Sequence, residues 1–255
     1  MIATAHTATA VQPREPWGQR WARRWIWALP IWSLLLALTT LTHQPDPDTD
    51  FAAYADYVTT TPFRASHILG SIAGAALGLV GAFALTMLLT GTRGERTALR
   101  GVGLFTLGQT LTISVFGAAA FAQPAIGETA HRGDVELAAA LDDLVYGPPL
   151  FATAAVGLLA LIAGTVLLGR AATASRFVAP WAGRTFAAAG VAFYLTGLPG
   201  LVLQPIAGVA MATAAIAIAR AARPHRRGED GRASAAVTGV VTATSPQTRS
   251  RLADV

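Results

Sequence analysis

Arg64 and His67 are the first pair of side chains in this sequence whose types and spacing could do chemistry. They stand three residues apart, so a helix would present both to the same neighbour. A guanidinium binds anionic groups, and an imidazole exchanges protons near neutral pH. Asp56 is close enough in the chain to supply the carboxylate that an acid–base pair with His67 would need. These three residues begin a candidate polar cluster.

Two glutamines, Gln123 and Gln204, complete this cluster, and each stands directly before a proline at a predicted helix break. The charged members could bind an anionic or zwitterionic headgroup, or gate a shallow cavity between helices. The alternative is structural. Arg64 would then pair with Asp56, His67 would hydrogen-bond a neighbouring helix or loop, and the glutamines would satisfy carbonyls freed at the breaks.

Gln109, Thr110 and Ser114 form a second candidate group within an apolar segment. An unpaired amide is costly in hydrocarbon, so Gln109 should face other helices and not lipid. With the two neighbouring hydroxyls it could line an intramembrane polar path for an uncharged or amphiphilic solute.

The sequence argues against several kinds of active site. It contains no cysteine, which removes disulfides, thiolate metal ligands and cysteine nucleophiles. The HExxH, P-loop, GxSxG and dinucleotide-binding patterns do not occur, and no predicted span has an acidic or basic residue in its central part. Of the five histidines, only His67 approaches the position that a haem-binding pair would need. We therefore expect no metal and no cofactor, and we assign no catalytic residue.

Composition places the chain among polytopic membrane proteins. Of its 255 residues, 53% are hydrophobic and 13% are charged, and the mean hydropathy is +0.48. All basic residues are arginine, and alanine is abundant, as is typical of a GC-rich bacterial genome. The pI near 10.6 could indicate nucleic-acid binding, but the positions of the arginines explain it better. We expect an all-α integral protein of the plasma membrane and no nucleic-acid partner.

Apolar segments predict six transmembrane helices within one domain, residues 25–220. The stretch from residue 185 onward is too long for a single span, and it is interrupted by Gly197, Pro199, Gly200 and Pro205. The six predicted spans are residues 25–42, 62–90, 101–122, 149–169, 185–200 and 204–220.

The second predicted span carries a ridge of small side chains. Ser66, Gly70, Gly74, Gly78 and Ala82 recur at every fourth residue, which places them on one narrow helix face. Small residues let helix backbones approach closely, so another helix should lie in this groove. The ridge is the predicted packing axis of the bundle.

Residues outside the spans predict interfacial and unstructured segments. Residues 1–24 predict a disordered, basic N-terminus whose tryptophans, spaced four residues apart near its end, lie at the headgroup level. Short amphipathic helices are expected on the outer membrane surface after Asp50 and near residues 135–147. Residues 221–255 predict a disordered, arginine-rich cytoplasmic tail.

The distribution of arginine predicts that both termini are cytoplasmic. Seventeen arginines fall in segments that six spans place inside, whereas only Arg64 and Arg132 fall outside. Five spans would put the arginine-rich tail outside. The polar cluster is therefore expected on the outer side, and the cytoplasmic arginines are expected to contact anionic lipids of the bilayer.

Three functional hypotheses remain open. The leading one is a non-enzymatic module that binds lipid or a membrane-protein partner and forms homo-oligomers through exposed glycine faces. The alternative is a small transporter or permease for an uncharged or amphiphilic solute, in which Gln109 lines the path. The third is a lipid-modifying enzyme that uses His67 with a carboxylate such as Asp56. A cavity reaching Gln109 would favour transport, and a closed bundle with a lipid-facing ridge would favour assembly.

Overall fold

Helices make up nearly all of the structure. The computed structural model describes residues 16–41, 44–196 and 203–223, of which 84% are helical, with no strand among them. The expected all-α fold is confirmed. Two predictions, the disordered termini and the helix break at Gly197–Gly200, concern residues that lie mostly outside these described ranges. The helices are α1 (Trp17–Trp25), α2 (Ala28–Thr39), α3 (Phe51–Val58), α4 (Thr61–Ala65), a π-helical segment (Ser66–Ala73), α5 (Gly74–Leu88), α6 (Glu95–His131), α7 (Val135–Val145), α8 (Pro148–Ser175), α9 (Pro180–Leu195) and α10 (Leu203–Ala221).

Four of the described helical runs are long and apolar enough to cross a bilayer, which indicates a membrane protein: Thr61–Leu88, α6, α8 and α10. Helix α2, with 12 residues, is shorter than the predicted first span. Helix α9 has 16 residues, as many as the predicted fifth span, but it begins and ends five positions earlier. The first span is shortened for a local reason. Pro30 has no N–H for the Ile26 carbonyl, which instead accepts the Leu29 N–H at 3.1 Å, and the helix is interrupted between α1 and α2.

Helix α6 corrects the predicted end of the third span. The sequence predicts a stop at Gln123–Pro124, but α6 continues through Pro124 to His131. Its 37 residues extend about 55 Å, well beyond a hydrocarbon core of about 30 Å. Tertiary packing stabilises the extension, because a Cβ on Gly127 would lie 2.9 Å from the Ala55 carbonyl oxygen of α3. This contact outweighs the hydrogen bond that the proline removes.

Six helices form a closed ring in the described part of the chain. Helix α2 packs on α5, α5 on α6, α6 on α8, α8 on α9 and α9 on α10, which returns to α2. Helices α2 and α5 run antiparallel, because Leu29 meets Gly81 at one end of their contact and Leu35 meets Gly74 at the other. The ring helices correspond in order to the six predicted spans.

Helices α6 and α8 approach closely through glycines spaced seven residues apart. Gly101 and Gly108 of α6 lie against α8, and Gly157 and Gly164 of α8 lie against α6. A Cβ on Gly108 would lie 2.5 Å from the Leu161 backbone nitrogen, so no side chain fits there. A seven-residue spacing was not among the predicted packing patterns.

The predicted ridge of the second span packs against α2. A Cβ on Gly74 would lie 3.5 Å from the Leu35 Cβ, and one on Gly78 would lie 3.0 Å from the Trp32 ring. Another helix therefore fills the groove, as the small residues predict. Because α2 covers the ridge, these glycines do not form an exposed face.

Helices α3 and α7 form a cap on the C-terminal part of α6. Helix α3 begins after Asp50, whose carboxylate accepts the Ala53 N–H at 2.9 Å, so the predicted helix and its N-cap are confirmed. The helix predicted near residues 135–147 is α7. A small apolar core, separate from that of the ring, joins the cap to α4 and α6. Its buried members are Tyr54, Val58, Phe63, Ile126 and Ala138.

The opposite end of the ring is the arginine end. Here the end of the basic N-terminus, which is predicted to be disordered, instead forms α1, and this helix packs beside the end of α5. The Gln19 amide donates to the Met87 carbonyl at 3.2 Å, and the Arg23 guanidinium donates to the Ala222 carbonyl at 2.8 Å. The other described arginines at this end include Arg93, Arg96, Arg100, Arg170 and Arg184.

Gly108→Ala and Gly103→Ala provide a matched test of the contact between α6 and α8. Gly108→Ala should lower the free energy of unfolding by about 1–3 kcal/mol, because its Cβ meets backbone that cannot move aside. The Cβ position of Gly103, on the same helix, has no described atom within 4 Å, so Gly103→Ala should be neutral or stabilising by up to about 1 kcal/mol. Thermal unfolding in detergent measures both. Equal stability of the two variants would contradict the close approach.

Candidate functional site

A cavity lies at the centre of the helix ring. Its deep chamber, of about 240 Å³, is lined by residues from all six ring helices. An upper chamber of about 250 Å³ lies on the side of the cap. The chambers adjoin, because they share the lining residues Leu36, Phe116, Phe193 and Gln204.

Two side chains that line the deep chamber carry hydrogen-bond donors without a protein partner. Gln109 is 3% exposed and Trp32 is 0% exposed, yet neither Gln109 Nε2 nor Trp32 Nε1 bonds any described group. Both side chains meet at Gly78, where a Cβ would lie 2.9 Å from Gln109 Nε2 and 3.0 Å from the Trp32 ring. A buried polar group left unpaired costs about 1–3 kcal/mol. Both donor nitrogens are themselves buried, so an acceptor bound in the chamber would recover this free energy once the side chain turns its N–H toward the chamber.

The rest of the deep chamber is mostly apolar, and its shape is fixed by packing. Trp32 contacts Phe105 edge-on, with ring centroids 5.2 Å apart, which holds the indole in place. The Thr112 hydroxyl donates to the Gly108 carbonyl at 2.7 Å, and its oxygen accepts from neither of the two unpaired donors. No described residue lining this chamber is acidic or basic. The apolar and aromatic part of the wall includes Leu36, Val115, Phe116, Leu158, Leu161 and Phe193.

The upper chamber is more polar, and the π-helical segment forms part of its wall. This segment contributes His67 and Ser71, and α10 contributes Gln204. His67 Nδ1 lies 3.0 Å from the Phe63 carbonyl oxygen, a geometry in which Nδ1 donates and Nε2 remains an acceptor. A π-helical turn within an α-helix is uncommon and frequently marks a functional position.

The predicted polar cluster is divided among three places, of which the first is an exposed rim. His131 Nε2 lies 2.8 Å from the Asp56 carboxylate, and the Arg64 guanidinium donates to the Glu128 carboxylate at 2.6 Å. The predicted pairing of Arg64 with Asp56 is therefore wrong. The observed pairs form because α6 extends past Pro124, which brings Glu128 and His131 to this rim.

The cap and the upper chamber receive the other members of the cluster. The buried Gln123 side chain lies beside the Tyr54 hydroxyl of the cap, where it opposes the rise in the Tyr54 pKa, while Gln123 Oε1 has no partner within the described ranges. His67 and Gln204 come together on the wall of the upper chamber. No described carboxylate contacts His67, since Asp56 is paired with a different histidine.

Of the candidate intramembrane path, Gln109 lines the cavity and the other two residues do not. Thr110 and Ser114 are exposed on the outside of α6. Their hydroxyls donate within the helix, to the Thr106 carbonyl at 2.8 Å and the Leu111 carbonyl at 2.6 Å. Consecutive helical residues point about 100° apart, so Gln109 can face the cavity while its neighbour Thr110 faces the outside of the ring.

Sequence reasoning missed Trp32, which it treated only as part of an apolar span. One signal could have found it. Tryptophans of membrane proteins concentrate at the two interfaces, and Trp32 stands well inside the predicted first span. An indole at that depth needs an acceptor for its N–H, and this need points to a polar interior.

A hydrogen bond between the two cap helices was also missed. The Tyr54 hydroxyl of α3 donates to the Asp142 carboxylate of α7 at 2.8 Å. Burial raises the pKa of Asp142, the Tyr54 hydrogen bond opposes this, and the charges of Asp143 and Asp48 add to it. Burial raises the pKa of Tyr146, and the nearby charge of Asp142 raises it further. The pKa of Tyr54 is also raised, by burial and by the hydrogen bond to Asp142. The cap thus holds a carboxyl that takes up a proton more readily than an exposed one.

Comparison with protein-family models, curated proteins and solved structures finds no match to this chain. In the described ranges, no three histidine, aspartate or glutamate side chains are grouped so that they could hold a metal ion. The chemistry of the cavity is therefore inferred from its walls.

Substitutions around Asp142 should move its pKa in opposite directions. Tyr54→Phe removes a donor that favours the carboxylate, so the pKa should rise further, whereas Asp143→Asn removes a neighbouring negative charge, so it should fall. Infrared titration of the carboxyl stretch measures the pKa, and Asp142→Asn identifies the band.

The same shift sets the pH dependence of cap stability. The folded-state pKa of Asp142 lies above its unfolded value, so folding takes up a proton in the interval between the two. Stability therefore falls as pH rises through that interval, and Asp142→Asn should abolish this component. Amide hydrogen exchange in the cap, corrected for the intrinsic exchange rate, measures this stability. Exchange that becomes slower as pH rises through the interval would contradict a raised pKa of Asp142.

Proposed function

We propose that this chain is a six-span plasma-membrane protein that binds an uncharged or amphiphilic small molecule inside its helix ring. The observation that carries the proposal is that Gln109 and Trp32, which line a cavity formed by all six ring helices, both carry a buried N–H donor without a partner. Binding at this site is the step from which transport through a small permease would begin. The protein is proposed to be non-enzymatic.

The ring supports six spans, although only four described helices reach spanning length. The short helix α2 exposes Ile31, Leu34 and Leu38 on the side away from the ring, with exposed fractions of 48%, 43% and 60%. Apolar side chains on an outer surface are suited to contact with lipid. The seventeen-to-two division of arginines supports cytoplasmic termini and a cap outside the cell.

The chemistry of the deep chamber suggests the class of ligand. Two N–H donors require acceptors, such as carbonyl or ether oxygens, on the bound molecule. A net charge on the buried part of the ligand is disfavoured, because no described acidic or basic side chain lines the chamber. The aromatic and aliphatic walls favour an apolar body. An uncharged molecule with one or two carbonyl oxygens meets these conditions.

The upper chamber suits the more polar end of an amphiphile. His67 and Gln204 offer hydrogen-bonding groups there, and the two chambers adjoin. A molecule lying across both could place its polar end near the cap and its apolar body among the aromatic side chains below. The hypothesis of a lipid-modifying enzyme gains no support, because His67 has no carboxylate partner among the described side chains.

Gln109→Met tests the proposal, because it removes the amide and roughly conserves the volume of the side chain. The variant should bind 2-methyl-1,4-naphthoquinone, an uncharged probe with two carbonyl acceptors, about tenfold more weakly. Without the probe it should be more stable than the original protein by about 1–3 kcal/mol, since the unpaired donor is gone. Titration calorimetry and thermal unfolding in detergent measure the two effects.

Thr110→Val is the matched control, because Thr110 is adjacent in sequence and lies outside the cavity. It should leave probe affinity unchanged. Unchanged affinity in Gln109→Met, or an equal loss in both variants, would contradict a ligand site at Gln109.

Cysteine labelling tests the proposed topology, because the chain has no cysteine of its own. Arg93 and Arg132 are both exposed and belong to connections that six spans place on opposite sides. In sealed cells, an impermeant maleimide should label Arg132→Cys and spare Arg93→Cys, and permeabilisation should make both reactive. Equal labelling before permeabilisation would contradict the six-span arrangement.

A further inference from the structure

A second concave surface lies between α8 and α9 at the arginine end of the ring. This groove has a volume of about 480 Å³ and shares no lining residue with the central cavity. Its floor is made of small and apolar side chains, including Val166, Ala187, Ala188 and Val191. A floor of this kind has the shape and polarity to hold a hydrocarbon chain.

Two arginines flank the groove, one on each helix. Arg170 and Arg184 directly follow Gly169 and Gly183, where a Cβ on Gly169 would lie 2.5 Å from the Gly183 carbonyl oxygen. The helices are therefore closest where the two guanidinium-bearing residues stand. Both arginines are exposed, and neither has a hydrogen-bond or ion-pair partner in the described part of the chain.

Trp181 indicates how deep this groove lies. It is 51% exposed at the first turn of α9, where an indole would lie at the headgroup level. Arg184 follows three residues later, about 4.5 Å further along the helix axis. From there its side chain can extend back to the phosphate level, while the apolar floor of the groove continues toward the hydrocarbon.

We propose that the groove between α8 and α9 binds an anionic phospholipid. Its phosphate would be held between the Arg170 and Arg184 guanidinium groups, and one acyl chain would lie along the apolar floor. A free phosphate would use the arginines but not the floor, so the two features together select a lipid. This site is independent of the ligand proposed for the central cavity.

Native mass spectrometry of the full chain provides the test, with phosphatidylglycerol compared with phosphatidylcholine. The unmodified protein should retain phosphatidylglycerol preferentially. Arg170→Gln and Arg184→Gln should each weaken its binding about fivefold, as expected for one basic side chain near an anionic headgroup. Ala188→Phe, which fills the groove and keeps both charges, should also weaken binding. Each variant is first shown by circular dichroism and thermal unfolding to be folded.

Arg96→Gln and Arg100→Gln are matched controls, because these exposed arginines lie at the same end of the ring on α6 and outside the groove. They should leave the preference for phosphatidylglycerol unchanged. Equal losses in the control and groove variants would overturn the site in favour of a general surface charge. Displacement of the lipid by millimolar inorganic phosphate, or full binding in Ala188→Phe, would overturn the role of the apolar floor.

Discussion

The close approach of helix backbones at glycine positions is the constraint on which the rest of this structure depends. Helices in a membrane gain little hydrophobic free energy from one another, so their association relies on van der Waals contact between well-matched surfaces. Gly81 admits the backbone of α2, and Gly108 admits that of α8. Narrow contacts therefore close the ring, while larger side chains such as Trp32 and Phe116 project inward. These side chains do not fill the interior, and a cavity remains.

The interior combines features that packing alone would not favour. A purely structural core would pair the Gln109 amide and the Trp32 indole, or replace them with apolar side chains, since unpaired buried donors reduce stability. Gly78, which has no side chain, leaves just enough room for both groups to pack against it. The two unpaired donors lower the stability of the folded protein, and they lie below a chamber that is bounded by a π-helical segment. Such a loss of stability is expected at a binding site, where function is favoured over stability.

Sequence patterns predicted local structure better than they predicted contacts. The ridge of small residues located the groove for α2, and Asp50 located the start of α3, because these signals depend on spacing along one helix. The stop at Pro124 failed because contacts at Gly127 with a distant helix outweigh a local break. Gln109 was predicted correctly to face other helices. Its proximity to Trp32, 77 positions earlier in the sequence, depends on how α2 and α6 pack in the ring. Periodicity within one segment carries no information on such a meeting.

The central claim is that the deep chamber binds an acceptor-bearing small molecule, and an experimental structure of the protein purified with its native lipids tests it most directly. The account predicts non-protein density in the deep chamber, with an acceptor atom within about 3.2 Å of both Gln109 Nε2 and Trp32 Nε1. Density explained entirely by ordered water molecules bonded to these two donors would contradict it. So would a Gln109 side chain turned to a protein acceptor, because the chamber would then lack the unpaired group that defines the site.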